Sequence, residues 1–294
     1  MTTAQDSQRL SPVTARGWVV DVDGCLMSTN KAGGTGGTPM PDAGAFLASL
    51  SDADAAVIIC TNASEYPPAV YARHLREAGL PVTDEQFVTS GSAAALYCAA
   101  HHPGASVLTL GAEGLTAPME ELGVTLAGPA AGQDRAADVV VVGAASQYST
   151  QAINAAAIAV AAGAPLYVTV DVQWFHGGRG RSISASSLIA RGISWVTGAP
   201  IHVLGKPSPA LAGTLLARLG VPAGEVTVVG DAHIETELAR HMGARSVLLL
   251  SGATRPGQVP ELDEAHIPDL VLADISQLHQ LRRAESQHST GASS

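Results

Sequence analysis

GWVVDVDGCL, residues 17–26, reads as a short apolar strand that runs into two carboxylates and a glycine. The strand portion, GWVVDV (17–22), stops at charge. Asp21 and Asp23 are spaced i, i+2, so both can be aimed at one ligand once the strand yields to a loop. One can then attack as a nucleophile while the other handles a proton. Gly24 permits the tight turn that follows. In isolation a DxDG string fits a polar turn or a fragment of a calcium-binding loop equally well, so its meaning rests on the remainder of the chain.

Outward from this stretch, strands and helices alternate. DAGAFLASL (42–50) is helical with Asp42 at the N-cap position, and AAVIICT (55–61) is a continuous apolar run of the kind covered on both faces. PPAVYARHLREAGL (67–80) opens on prolines and closes at Gly79, the usual asymmetry of a helix. Later come the strand IHVLG (201–205), the helix PALAGTLLARLG (209–220), the strand VTVVG (226–230), a helix near 234–242 and the strand RSVLLL (245–250). This βαβα pattern predicts an α/β fold with a mainly parallel, doubly wound sheet and ligands at the strands' carboxyl ends. Between the two halves, SVLTL (106–110), DVVVVG (138–143) and PLYVTV (165–170) alternate with helices such as 149–163. They form a second α/β unit inserted into the first. The expected division is a tail over 1–15, a core from 16–87 and 199–283, an inserted unit over 88–198, and a solvated tail over 284–294.

The strand ends carry the rest of the chemistry. Thr61 and Asn62 close the second strong strand, where a hydroxyl and backbone N–H groups can hold a phosphoryl oxygen. Lys206 follows IHVLG and precedes Pro207, so its ammonium lies at a strand end. Asp231 closes VTVVG, and Glu235 stands four residues on at a helix start. Separately these residues read as a cap, a loop charge and an N-cap. Their common place at the carboxyl ends of apolar strands is what those separate readings leave unexplained.

Composition excludes several classes. A chain of 294 residues with 46% hydrophobic content is long enough for two domains and too apolar for global disorder. With 16 Lys+Arg against 26 Asp+Glu, the net charge of -10 disfavours tracking a phosphate backbone, so no nucleic-acid partner is expected. No run approaches 18 apolar residues, and MTTAQDSQRL lacks the apolar region of a signal peptide, so the expectation is a cytoplasmic protein without a membrane partner. Cys25, Cys60 and Cys98 are too widely spaced for a disulfide framework or a zinc pattern.

The four motifs DVDGCL, CTN, GKPSP and GDAHIE, in this order, resemble those of haloacid dehalogenase-like (HAD) hydrolases. The chain is most similar to type IIA phosphatases with a large inserted α/β cap (type C2), and the similarity runs from about residue 16 to 283. GAEGL (111–115) and the segment 138–171 resemble the cap. The resemblance implies a phosphatase of small-molecule phosphomonoesters. Asp21 would attack phosphorus and form an aspartyl-phosphate, while Asp23 would protonate the leaving oxygen and later deprotonate water. It also implies Mg²⁺ as cofactor, bound by Asp21, the backbone carbonyl of Asp23 and Asp231. Thr61, Asn62 and Lys206 would stabilise the phosphoryl group. A phosphomutase or other phosphotransferase would share the phospho-Asp chemistry, and a noncatalytic phosphate-sensing protein is the reading from another class. Relatives of this kind often dimerise through the cap, so the resemblance offers a homodimer through the cap as one option and leaves the oligomeric state open.

Two departures from the family pattern stand out. A second Asp usually closes the fourth motif; here Glu235 is preferred as the outer-shell metal group, with Glu237 as the alternative. The loop 28–40, with the Gly-rich run GGTGGT (33–38), is longer than expected and reads as a flexible flap. His233 reads as a surface residue at a helix start, His101-His102 as the end of a surface helix, and Trp18, Trp195, Cys60 and Cys98 as packing residues. Finally, the segment 171–181 combines Asp171, Trp174, His176, Arg179 and Arg181 in a Gly-containing loop of the cap. These residues are the candidates for substrate specificity, against the plainer reading of an exposed crossover loop. The physiological substrate is not legible.

Overall fold

The computed structural model describes residues 11–28, 33, 35–128, 137–176 and 181–291. In chain order the elements begin with β1 (Gly17–Val20), β2 (Met27–Ser28), β3 (Thr38–Pro39), α1 (Ala43–Asp52), β4 (Ala56–Thr61), α2 (Pro68–Glu77) and β5 (Phe87–Thr89). There follow α3 (Ser90–His101), β6 (Ser106–Leu110), α4 (Glu113–Glu121), β7 (Thr125–Ala127), β8 (Val139–Val142), α5 (Thr150–Ala161) and β9 (Leu166–Val168). Next come β10 (Trp174–His176), β11 (Arg181–Ile183), α6 (Ala185–Thr197), β12 (Ile201–Val203) and α7 (Pro209–Leu219). The chain ends with β13 (Val226–Gly230), α8 (His233–Met242), β14 (Arg245–Leu249), β15 (Leu270–Leu272) and α9 (Ile275–Gly291). The chain forms two compact units. The first gathers Met1–Cys60, Ala72–Phe87 and Leu215–Ser294, and the second gathers Thr61–Tyr71 and Val88–Thr214.

The first unit is built on a six-stranded sheet in the order β15-β14-β13-β1-β4-β5. β1 lies between β13 and β4 and runs parallel to both, with Val20 opposite Val229 on one side and Ile59 on the other. All four residues of β1 are buried, as an apolar run without alternation requires. Trp18 anchors this strand: it is fully buried, its Nε1 donates to the Ala15 carbonyl at 2.9 Å, and its ring meets Phe46 edge-on at 5.5 Å. The same packing draws in the preceding segment. Val13 and Ala15 are buried and Thr227 Oγ1 donates to the Pro12 carbonyl, so order begins before residue 16, within the stretch expected as a tail. At the other end α9 continues through 284–291, where composition suggested a solvated tail. Asp42 takes the N-cap position of α1 but in a left-handed conformation (φ 59°) and without a side-chain capping bond.

In the second unit five parallel strands stand in the order β12-β9-β8-β6-β7. Here β8 shows why a sheet covered on both faces yields an unbroken apolar run. Val140 and Val142 pack with Leu108, Val160 and Ile193, while Val139 and Val141 pack with Cys98, Leu115 and Met119. Burial pushes the Cys98 thiol up to about 11, as for a packing cysteine. Cys60 and Trp18 also pack, but Trp195 does not: on α6 it is 85% exposed.

β12 departs from the expected topology. It pairs with β9, and Leu204 N donates to the Val168 carbonyl, so IHVLG joins the second sheet rather than the first. A short apolar run states that a strand is covered, not which sheet covers it. Among the described residues, no helix is long and apolar enough to cross a membrane.

Candidate active site

The pairing of β1 with β13 brings two acids together. Asp21 N donates to the Val229 carbonyl at 2.9 Å, which extends the ladder by one residue past β1. Asp231 follows Gly230, the last residue of β13. The order of the sheet reverses beside β1, and such a switch point opens a crevice at the carboxyl ends of the strands. Carboxylate oxygens of Asp21 and Asp231 and the sulfur of Cys25 all lie within 4.8 Å of one another. Asp21 and Cys25 are buried, and Asp231 is partly so.

Two loops enclose Asp231. Gly24 turns with φ +77°, and a Cβ there would stand 2.3 Å from Asp231 Oδ2. From the loop after β14, a Cβ on Gly252 would stand 1.8 Å from the same oxygen. Only glycine leaves room for the carboxylate at both positions. The second loop also holds the acid by hydrogen bonds: Ala253 N donates to Oδ2 at 2.7 Å, and Thr254 N to the Asp231 carbonyl at 2.9 Å. Ser251 Oγ in turn donates to the Gly24 carbonyl at 2.7 Å, joining the two loops.

Asp23 uses its side chain differently. Its Oδ2 accepts a hydrogen bond from Gly33 N at 2.9 Å, which ties the acid to the Gly-rich stretch. The short pair β2–β3 frames that stretch, of which residues 29–32 and 34 lie outside the described residues. Glu235 is buried and folds back over its own helix start, where Oε2 accepts from Ala232 N at 3.2 Å. Glu237 faces His241 and His266 instead. His233 is the exposed first residue of α8. The oxygen atoms of Asp21 and Asp231 suit a hard divalent cation such as Mg²⁺, whereas the Cys25 thiol is soft and is no ligand for it.

The remaining strand-end residues belong to the second unit. Thr61 ends β4, is buried, and its Oγ1 accepts from Ala63 N at 3.2 Å. Asn62 grips Lys206 by the main chain: Lys206 N donates to Asn62 Oδ1 at 2.8 Å, and Asn62 Nδ2 donates to the Lys206 carbonyl at 3.1 Å. Ser90 Oγ donates to the Asn62 carbonyl at 2.8 Å. Lys206 itself is buried, which is rare for a lysine. The structure thus joins Asn62 and Lys206, 144 residues apart, by a pair of hydrogen bonds.

The described residues of segment 171–181 include strand where a loop was expected. β10 and β11 form an antiparallel hairpin in which His176 stands opposite Arg181. Arg179 lies outside the described residues. Trp174 is half exposed, and Asp171 pairs with Arg191 of α6, whose Nε and Nη2 reach its two oxygens at 3.1 and 2.8 Å. A groove of about 270 Å³ lies here, lined in part by Trp174, Ser187, Leu188 and Arg191. Sequence reasoning did not single out Arg191, Cys25 or the loop 251–254. Of these only Cys25 had a visible signal, its place inside the first motif.

Comparison with known proteins agrees across the chain. Residues 18–125 match the haloacid dehalogenase-like hydrolase family, and residues 203–278 match a HAD-hydrolase-like family. An acid sugar phosphatase from Staphylococcus aureus is 29% identical over 217 residues, spanning 74% of this chain and 78% of that protein. A glycerol phosphate phosphatase from Mycobacterium tuberculosis, solved in complex with magnesium, is 27% identical with a TM-score of 0.79. The match covers 93% of this chain and 79% of that one. A p-nitrophenyl phosphatase from Archaeoglobus fulgidus is 25% identical with a TM-score of 0.78, covering 92% and 99%.

The enclosure of Asp231 is testable by size alone. Gly252→Ala forces the carboxylate or its loop to move and is expected to cost about 1–3 kcal/mol, the usual range for overpacking. Gly257→Ala, in open space on the same loop, serves as the control and leaves stability unchanged. Urea denaturation of the two variants beside the parent measures both; equal midpoints for all three would show that the contact does not constrain Asp231.

Proposed function

The chain belongs to the haloacid dehalogenase-like hydrolases, and from that membership we propose that it hydrolyses small-molecule phosphomonoesters through an aspartyl-phosphate on Asp21, with Mg²⁺ as cofactor. The observation that carries this reading is the meeting of the Asp21 and Asp231 carboxylates at the ends of two adjacent parallel strands. Relatives named for sugar phosphate, glycerol phosphate and nitrophenyl phosphate hydrolysis support the substrate class.

In this reading Asp21 attacks phosphorus, and the ester oxygen departs with a proton from Asp23. A water molecule then attacks the phosphorus of the aspartyl-phosphate. Asp23 takes its proton, the bond to Asp21 breaks, and inorganic phosphate leaves. The hydrogen bond from Gly33 N orients Asp23 for both transfers. Asp21, the Asp23 carbonyl and Asp231 would hold Mg²⁺, which when bound neutralises the charge of the acids and the phosphoryl group. Glu235, buried at the start of α8, is the better candidate for the outer shell, because Glu237 is directed at two imidazoles. Thr61 and Lys206 would bind the phosphoryl oxygens, with Asn62 positioning Lys206 through its main chain. The segment 88–198 would act as the cap. Within it, Asp171, Trp174, His176, Arg179 and Arg181 would meet the leaving group.

Four outcomes follow from this assignment of roles. Asp21→Asn keeps the size of the nucleophile and removes its charge, so turnover of nitrophenyl phosphate should vanish with the fold intact. Excess EDTA should abolish parental turnover as well. Wild-type-like turnover by the variant, or full activity in EDTA, sinks the mechanism. Asp23→Asn should slow alkyl phosphates more than nitrophenyl phosphate, whose leaving group needs less protonation. Rapid-quench measurement of the phosphorylation step decides this, and equal losses for both esters contradict a general acid. Arg181→Ala should raise KM several-fold for the best substrate of a metabolite panel while nitrophenyl phosphate is hardly affected. An unchanged ranking across the panel removes Arg181 from substrate selection.

A further inference from the structure

The turn that follows β1 returns the chain to Asp21. The Val22 carbonyl accepts from Leu26 N at 3.0 Å and from Met27 N at 2.9 Å, and Gly24 N donates to the Met27 carbonyl at 2.8 Å. Gly24 supplies the left-handed residue that so short a turn needs. Cys25, four residues after Asp21, is thereby carried back beside the acid with its side chain buried. Its sulfur and one oxygen each of Asp21 and Asp231 lie within 4.8 Å of one another, and among the described residues no other three such side chains converge in this way. Three atoms so spaced leave a point within about 2.8 Å of all of them, against about 2.3 Å for a Zn–S bond and about 2.0–2.2 Å for Zn–O. Shifts of less than about 1 Å would therefore close two oxygens and one sulfur around a single ion. Asp231 is the partly exposed member of the three, so the cluster is open to an ion on that side.

The donors are of two kinds. Carboxylate oxygens suit Mg²⁺, to which a thiolate adds nothing, whereas a thiolate draws borderline and soft ions. One crevice thus carries an oxygen set for a hard cation and a mixed oxygen–sulfur set for a thiophilic one. Charge separates the two outcomes. Mg²⁺ on two carboxylates leaves them neutral together, while a divalent ion that also displaces the Cys25 thiol proton to solvent leaves one net negative charge. A phosphomonoester anion is repelled by the second arrangement. Three protein donors also leave a tetrahedral ion a single open position, where octahedral Mg²⁺ keeps several for phosphoryl oxygen and water.

We infer that Cys25 makes the candidate catalytic centre an inhibitory site for thiophilic divalent cations of the Zn²⁺ class. The ion binds Asp21, Cys25 and Asp231, excludes Mg²⁺ and stops turnover. The inhibition rests on the phosphatase reading given above; the binding rests on the three side chains alone.

The test titrates the full chain with Co²⁺, a spectroscopic stand-in for Zn²⁺. Near-ultraviolet absorption from sulfur-to-Co²⁺ charge transfer is expected to saturate at one ion per chain and to disappear when Zn²⁺ displaces Co²⁺. Cys25→Ser should abolish that band and weaken the tightest Zn²⁺ binding at least tenfold by calorimetry. Cys98→Ala, whose thiol belongs to the core of the second unit, should keep both. With nitrophenyl phosphate, each protein being referred to its own rate in Mg²⁺ alone, the Zn²⁺ concentration for half-inhibition should rise at least tenfold in Cys25→Ser. Circular dichroism verifies folding, and Cys25→Ala takes the place of Cys25→Ser if the latter does not fold. A parent without the charge-transfer band, or Zn²⁺ affinity or inhibition unchanged by loss of the thiol, overturns the inference while Mg²⁺-dependent turnover stands. A band that depends on Cys25 in a protein without Mg²⁺-dependent turnover upholds the binding site and fails the phosphatase reading instead.

Discussion

Two carboxylates held close together set the terms for the carboxyl end of the first sheet. Carboxylate oxygens of Asp21 and Asp231 stand within 4.8 Å of each other. At an effective dielectric constant of about 20, a separation of that size corresponds to a repulsion of at least about 3.5 kcal/mol when both are ionised. The fold imposes the encounter, because the parallel register of β1 and β13 leaves Asp21 and Asp231 at the ends of adjacent strands. It also moderates the encounter with directed donors, of which Ala253 N at 2.7 Å from Asp231 Oδ2 is the clearest. A hard dication between the acids would reverse the sign of the interaction.

Strand ends were the legible part of the molecule. GWVV and VTVVG are apolar because their sheet is covered on both faces, and each is terminated by an acid that cannot continue into that core. The sequence therefore showed where Asp21 and Asp231 sit along their strands. It did not show what would reach them from elsewhere. The loop SGAT (251–254) encloses Asp231 through one missing side chain and two backbone N–H groups, features without a signature in residue type. The sheet assignment of β12 was hidden for a similar reason: an apolar triplet is compatible with any parallel neighbour, and only pairing with β9 decides. Trp195 was misplaced because size and apolarity predict burial on average, and α6 leaves that face uncovered.

Lysine at a strand end is a long, flexible side chain, and its direction depends on how firmly its backbone is held. Asn62 supplies that hold through two hydrogen bonds to the Lys206 main chain. An aspartate in its place would keep the acceptor for Lys206 N and lose the donor to the carbonyl. Sequence order concealed this relation entirely, since the two residues lie in different motifs. Both polar atoms of the Asn62 side chain are engaged by the Lys206 main chain.

The loop between β14 and β15 is held at two places of differing chemistry. Its first residues are fixed to Asp231 and Gly24 by Ala253, Thr254 and Ser251. Its later residues are fixed to α8 by Arg240, Glu237 and His266. A loop of this length anchored at one end alone would retain much of its conformational freedom, and each further anchor reduces the freedom left to the first. Asp231 begins the turn into α8, so both attachments converge on one helix and its leading residue. The loop that closes on Asp231 at Gly252 is thus also held to α8 further along, at a place where the motifs of the family are silent.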